Sequence, residues 1–86
     1  IVIAGEINSR LANSVITRLI ALSSDSDAPI NMLVSSPGGH VESGDAIHDV
    51  VRFIRAPVNM IGTGWVASAA THIYLSVPKE RRFATE

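Results

Sequence analysis

Hydrophobic positions along the chain follow two periods in turn. Ile1-Val2-Ile3-Ala4 is a β-branched run closed by Gly5 and predicts a short strand. In residues 9–22, Leu11, Val15, Ile16, Leu19, Ile20 and Leu22 keep helical spacing, which predicts an amphipathic helix capped by Asn8 or Ser9. Residues 23–29 are polar and end in Pro29. Ile30-Asn31-Met32-Leu33-Val34 then reads as a strand covered on most of both faces, as parallel strands are. Ser36-Pro37-Gly38-Gly39 breaks the chain. A second helix follows, with Ile47, Val50, Val51 and Ile54 on one face. Asp45, Asp49, Arg52 and Arg55 lie on or near the other, and Pro57 ends it. Val58-Asn59-Met60-Ile61 supplies a third strand, and Gly62-Thr63-Gly64 leads into a third helix near residues 67–75. Arg82-Phe83-Ala84 begins one more strand.

Strands alternating with helices of this length imply right-handed crossovers and an α/β fold, repeated β-α-β units with a mostly parallel sheet flanked by helices. In such sheets ligands gather at the carboxyl ends of the strands. The loops at residues 36–40 and 62–68 lie there and hold most of the glycine.

Composition narrows the classes. Eighty-six residues allow one small domain. The chain begins on strand residues without Met, so residues 1–86 are read as a single incomplete domain of a longer protein. A net charge of −1 supplies no basic field for a nucleic acid. The lack of Cys removes thiol nucleophiles, disulfides and Cys-based metal sites. No apolar run approaches the roughly 18 residues of a membrane-spanning helix. No set of His, Asp and Glu has the spacing of a metal site.

The two loops carry the candidate chemistry. After a buried strand, Gly38 and Gly39 allow positive φ and close approach of a ligand to bare main chain. Their amides, near the start of the second helix, suit a developing negative charge. Taken alone, a plain Pro-Gly strand-to-helix turn is the favoured reading of them. Ser68 sits at the mouth of the third helix with the Ala69 amide beside it, as in strand-to-helix nucleophile turns. Capping or padding a tightly packed helix is the plainer reading of that serine. Together, the loops place amide donors and a hydroxyl around one point, which meets the needs of acyl transfer except for a base.

Gly5-Glu6-Ile7-Asn8, Leu11-Ala12-Asn13, Ser36-Pro37-Gly38-Gly39, residues 44–49 and Ala67-Ser68 resemble the proteolytic subunit of the ATP-dependent Clp protease, in order over nearly the whole chain. The resemblance implies a serine endopeptidase with the fold shared by that family and the crotonases. Ser68 matches its nucleophile, and Gly38 and Ala69 its oxyanion-hole amides. Gly39, His40 and Val41 match the segment that binds peptide as an added strand. The family assembles homo-oligomeric heptameric rings, stacked in pairs around a cytoplasmic chamber. An ATP-dependent unfoldase feeds unfolded polypeptide into that chamber. The proteolytic subunit itself takes no cofactor, and neither nucleic acid nor membrane is a partner.

Two departures stand out: Ala70 replaces a usual glycine, and Trp65 a usual glutamine. The family's His and Asp fall beyond Glu86, and its N-terminal axial segment is also missing. Among the histidines here, His72 shares a helix face with Ser68 and is the weak candidate for a base. His48 reads as a solvated surface residue, and His40 adjoins the glycines without an orienting carboxylate. Asp49 and Arg52 are spaced for a weak helical pair. Residues 79–82 read as a solvated turn, and Trp65, in a glycine-bracketed loop, as a packing residue ahead of a pocket-lining or subunit-contacting one. Signal-peptide-peptidase-like enzymes, crotonase-like enzymes and an inactive ring subunit are the alternative readings.

Overall fold

The computed structural model describes residues 1–84. Its elements are β1 (Val2–Ala4), α1 (Ser9–Asp25), β2 (Ile30–Ser36), α2 (Val41–Phe53), β3 (Val58–Val66), α3 (Ala69–Tyr74), a 3₁₀ turn (Lys79–Arg81) and β4 (Arg82–Ala84). The strands form one sheet in the order β1-β2-β3-β4, and every neighbouring pair is parallel. The expected parallel α/β architecture is therefore present.

Local signals explain the boundaries. Asn8 is extended, and its Oδ1 accepts the Leu11 amide at 2.8 Å, so the first turn of α1 is capped. Past Asp25, Ser26 is extended and its Oγ accepts the Ala28 amide at 3.0 Å, which turns the chain toward β2. At the start of α2 the cap is His40, whose Nδ1 accepts the Ser43 amide at 3.3 Å and contacts Ser43 Oγ at 2.6 Å.

Crossovers that all run the same way along the sheet put α1, α2 and α3 on one face. α1 packs on α2 and α2 on α3, giving two layers only 16 Å thick at the narrowest extent. Ile3, Met32, Val34 and Met60 point into the core, where they meet Leu19, Ile47 and Ile73. Each such side chain, fully buried, contributes roughly 1.5–3 kcal/mol relative to exposure.

The opposite face is uncovered, and here the expectation of a β2 buried on both faces fails. Its burial alternates along the strand, with Asn31 exposed and Leu33 half-buried. In register across that face lie Val2, Leu33, Ile61 and Phe83, a row of four apolar side chains. Val2 and Phe83 are more than half exposed.

β3 is longer than predicted. It continues through Gly62, Thr63 and Gly64, whose glycines predict the loop before α3. Gly62 pairs opposite Val34, but Val66 pairs opposite Ser36, so β3 carries two more residues than β2 across this bulge. Gly64 lies in it at φ 65°. Trp65 follows at 64% exposure, so the packing role expected for it is wrong: the bulge turns the indole outward. The expected Asp49–Arg52 pair is also absent among the described residues. The Asp49 carboxylate instead lies 3.6 Å from His48 Nδ1. Among the described residues no helix is long and apolar enough to cross a membrane.

Candidate active site

β2 and β3 are sheet neighbours running the same way, so their carboxyl ends lie side by side. The bulge in β3 brings Val66 back opposite Ser36, and the Ala67 amide donates to the Ser36 carbonyl at 3.2 Å. Residues 67–69 are thereby set against the glycine loop. A Cβ built on Gly38 would lie 2.7 Å from Ser68 Cβ, 3.0 Å from the Ala67 oxygen and 3.2 Å from the Ala69 nitrogen. No side chain fits at position 38. The two loops converge as their sequence suggested.

Ser68 is the one non-glycine residue among those described with positive φ, at φ 54° and ψ −124°. A side chain held there costs about 1–3 kcal/mol and persists only where its surroundings impose it. A strained strand-to-helix turn of this kind lifts the side chain clear of the helix that follows. The hydroxyl makes no capping bond and the residue is exposed, so the plainer capping role is not what the side chain does. Ala69, the first residue of α3, has an amide beyond the reach of intrahelical acceptors.

Gly38 is buried at φ 106°, and its amide donates to Ser36 Oγ at 3.0 Å. Of the two amides assigned to anion binding, Ala69 is the open one in this conformation. An anion at Gly38 has to share or displace the Ser36 hydroxyl. Ser36 itself is 1% exposed and was not singled out from sequence, because its role depends on a two-residue backbone turn.

Gly39 forms a parallel bridge with Ile7. Ile7 donates to the Gly38 carbonyl and accepts from the His40 amide, both at 2.8 Å. By the alternation of a β-ladder, Gly39's own N–H and C=O project from the opposite edge. That edge is a template for an added strand. The His40 amide is spent on Ile7 and its ring on capping α2, while Val41, 61% exposed, opens α2. Of the three residues expected to bind peptide, Gly39 is the one whose main chain faces outward.

His72 does not turn toward Ser68. Its Nε2 lies 3.1 Å from Asp45 Oδ1 on α2, so it is already engaged there. His48 is not a solvated surface residue: its side chain is 15% exposed and its ring stacks on His72, with centroids 4.0 Å apart and planes at 6°. His48 escaped the sequence reading because its burial depends on α3 lying across α2. Gly44, by contrast, carried a legible signal as a glycine inside a helix. A Cβ on it would sit 3.1 Å from Ala69 Cβ.

Fold and site together define a parallel α/β protein whose strand tips hold an exposed, strained serine against a glycine loop. The sequence description of the Clp protease family matches residues 1–86, so the chain belongs to the Clp protease family. It is 55% identical over 83 residues to the ATP-dependent Clp protease proteolytic subunit of Paracoccus denitrificans, covering 96% of this chain and 42% of that protein. It is 58% identical over 82 residues to proteolytic subunit 3 of Rhizobium johnstonii, covering 95% of this chain and again 42% of the relative. Among solved structures, ClpP1 from Listeria monocytogenes superimposes with a TM-score of 0.96 at 51% identity, over 98% of this chain and 49% of that one. The ClpP catalytic domain from Plasmodium falciparum gives 0.92 at 32% identity, over 96% and 45%. The chain thus spans less than half the length of these relatives.

Proposed function

We propose that this chain is the serine-bearing part of a Clp-type endopeptidase subunit that cuts unfolded polypeptides. The observation that carries the reading is Ser68, exposed and held at positive φ against Gly38. A helix cap or a padding residue has no need of that conformation. Membership of a family whose relatives are named proteolytic subunits supports it independently.

The peptide lies along the free edge of Gly39 as an added strand, held by main chain and so tolerant of sequence. Ser68 Oγ bonds to the carbonyl carbon, and its proton passes to a histidine from the part of the longer protein outside this sequence. The amides of Ala69 and Gly38 hold the resulting oxyanion, the latter sharing its hydrogen with Ser36 Oγ. Collapse breaks the C–N bond, the histidine returns the proton to the leaving amine, and water then releases the acyl group from Ser68 by the same route.

His72 is not that histidine, since Asp45 engages it on the next helix. No cofactor enters these steps. ATP belongs to a partner unfoldase, and the subunits form paired rings in the cytoplasm. The test is Ser68→Ala in the full-length protein, which should abolish hydrolysis of a small fluorogenic peptide and leave assembly intact. Unchanged turnover removes Ser68 from the mechanism.

A further inference from the structure

We infer that Asp45, His48 and His72 form a positioning clamp that fixes the rotation of α3, and with it the aim of Ser68 and the Ala69 amide. The inference rests on the peptidase reading of Ser68 and adds residues that the reading does not use.

α3 spans only six residues, too few to hold itself in place without tertiary ties. Two ties join it to α2. One is steric: Gly44 lets the helices close until Ala69 Cβ is almost in contact with α2. Ala70 and Ile73, both fully buried, and the Tyr74 hydroxyl, which donates to the Phe83 carbonyl at 2.8 Å, seat α3 on the sheet, but the steric contact with α2 has no direction of its own. The second tie is directional, running from His72 Nε2 to Asp45 Oδ1 at 3.1 Å. Asp45 directly follows Gly44, and His72 lies one turn beyond Ser68, its amide 3.4 Å from the Ser68 carbonyl. The two contacts are three residues apart on α3 and adjacent on α2, so the second adds a directional restraint on roll to the steric one on separation.

His48 makes the second tie rigid. Its ring lies flat against His72 at 4.0 Å, so the His72 imidazole is held between a stacking surface and a carboxylate. His48 Nδ1 is buried without a hydrogen-bond partner. The Asp49 carboxylate, 3.6 Å away, is too distant to bond it, so the flat contact with His72 is what orients the ring. The Asp45 and His72 side chains are each about half exposed, at 53% and 46%. Their attraction therefore adds little to stability in water, and direction is what the contact supplies.

The test uses the full-length protein, a fluorophosphonate that reacts with an activated serine, and a small fluorogenic peptide. Asp45→Ala should slow labelling of Ser68 and lower kcat about tenfold, as small misplacements of reacting groups do. KM and the thermal midpoint should stay near those of the unaltered protein. Asp45→Asn, which still accepts from His72, should restore labelling to within about twofold, because the charge itself contributes little. His72→Phe keeps the stack but loses the Nε2 donor and should match Asp45→Ala, which covers the case of a poorly folded alanine variant. Labelling at the unaltered rate in both Asp45→Ala and His72→Phe overturns the clamp alone. Absence of any Ser68 adduct in the unaltered protein overturns the peptidase reading and the clamp with it.

Discussion

Gly38 and Ser68 stand so close that a single added carbon on the glycine would come within 2.7 Å of Ser68 Cβ. Gly38→Ala must therefore push the serine turn away or shift the glycine loop, and its φ of 106° penalises any side chain as well. Loss of one anion donor together with a displaced nucleophile predicts a fall in kcat/KM of at least about a hundredfold. Steady-state peptide hydrolysis by the full-length variant measures it. Activity within a few-fold of the parent would show that the loops separate during catalysis.

Ser68 holds a conformation that glycine adopts freely. Ser68→Gly and Ser68→Ala should both be inactive, yet the glycine variant should be the more stable by about 1 kcal/mol, since it escapes the positive-φ strain. Denaturant unfolding of the two full-length variants compares them directly. Equal midpoints would mean that the turn carries no strain.

Ser36 predicts an asymmetry. Its Oγ accepts the buried Gly38 amide, so Ser36→Ala leaves that donor unsatisfied in the resting protein. The expected loss of stability is about 1–3 kcal/mol. An oxyanion at Gly38 would then hold the amide without competition, so kcat for a small peptide should be preserved or raised. A thermal scan beside a turnover measurement decides it, and a large fall in kcat would recast Ser36 as the group that aims Gly38.

The uncovered sheet face makes a prediction about residues 1–86 expressed alone. Val2, Leu33, Ile61 and Phe83 form an apolar row in register, open to water at both ends. Such a surface favours association. Sedimentation should show concentration-dependent self-association of the fragment, and Phe83→Lys, which charges the edge strand, should reduce it. A strictly monomeric fragment at all concentrations would mean that the row is too narrow to drive association.

Much of the architecture was legible in the chain. The period of Leu11, Val15 and Leu19 marks α1, the Asn8 cap marks its start, and alternation of strands with helices implies the parallel order. β3 was less legible, because glycine has two uses there. Gly62 read as a breaker, yet it is a strand residue kept small by Tyr74, whose ring would lie 3.1 Å from an added Cβ. Gly64 really does break the ladder, but inside the strand rather than after it. Likewise, the convergence of Gly38 and Ser68 follows from adjacent parallel strands, whereas the Asp45–His72 contact and the stacking of His48 on His72 depend on how two helices cross. No spacing within either helix announces that crossing. The exposure of Trp65 follows in the same way from a bulge that the pattern of residue types does not mark.

The two surplus residues in β3 act as slack between framework and tip. Up to Gly62 the strand answers to its neighbours and to the packed interior; from Val66 onward it answers to the serine turn. Substitutions within residues 63–65 are thus free to tilt or retune that turn without rewriting the interior, and the large, solvent-facing Trp65 already occupies this tolerant stretch.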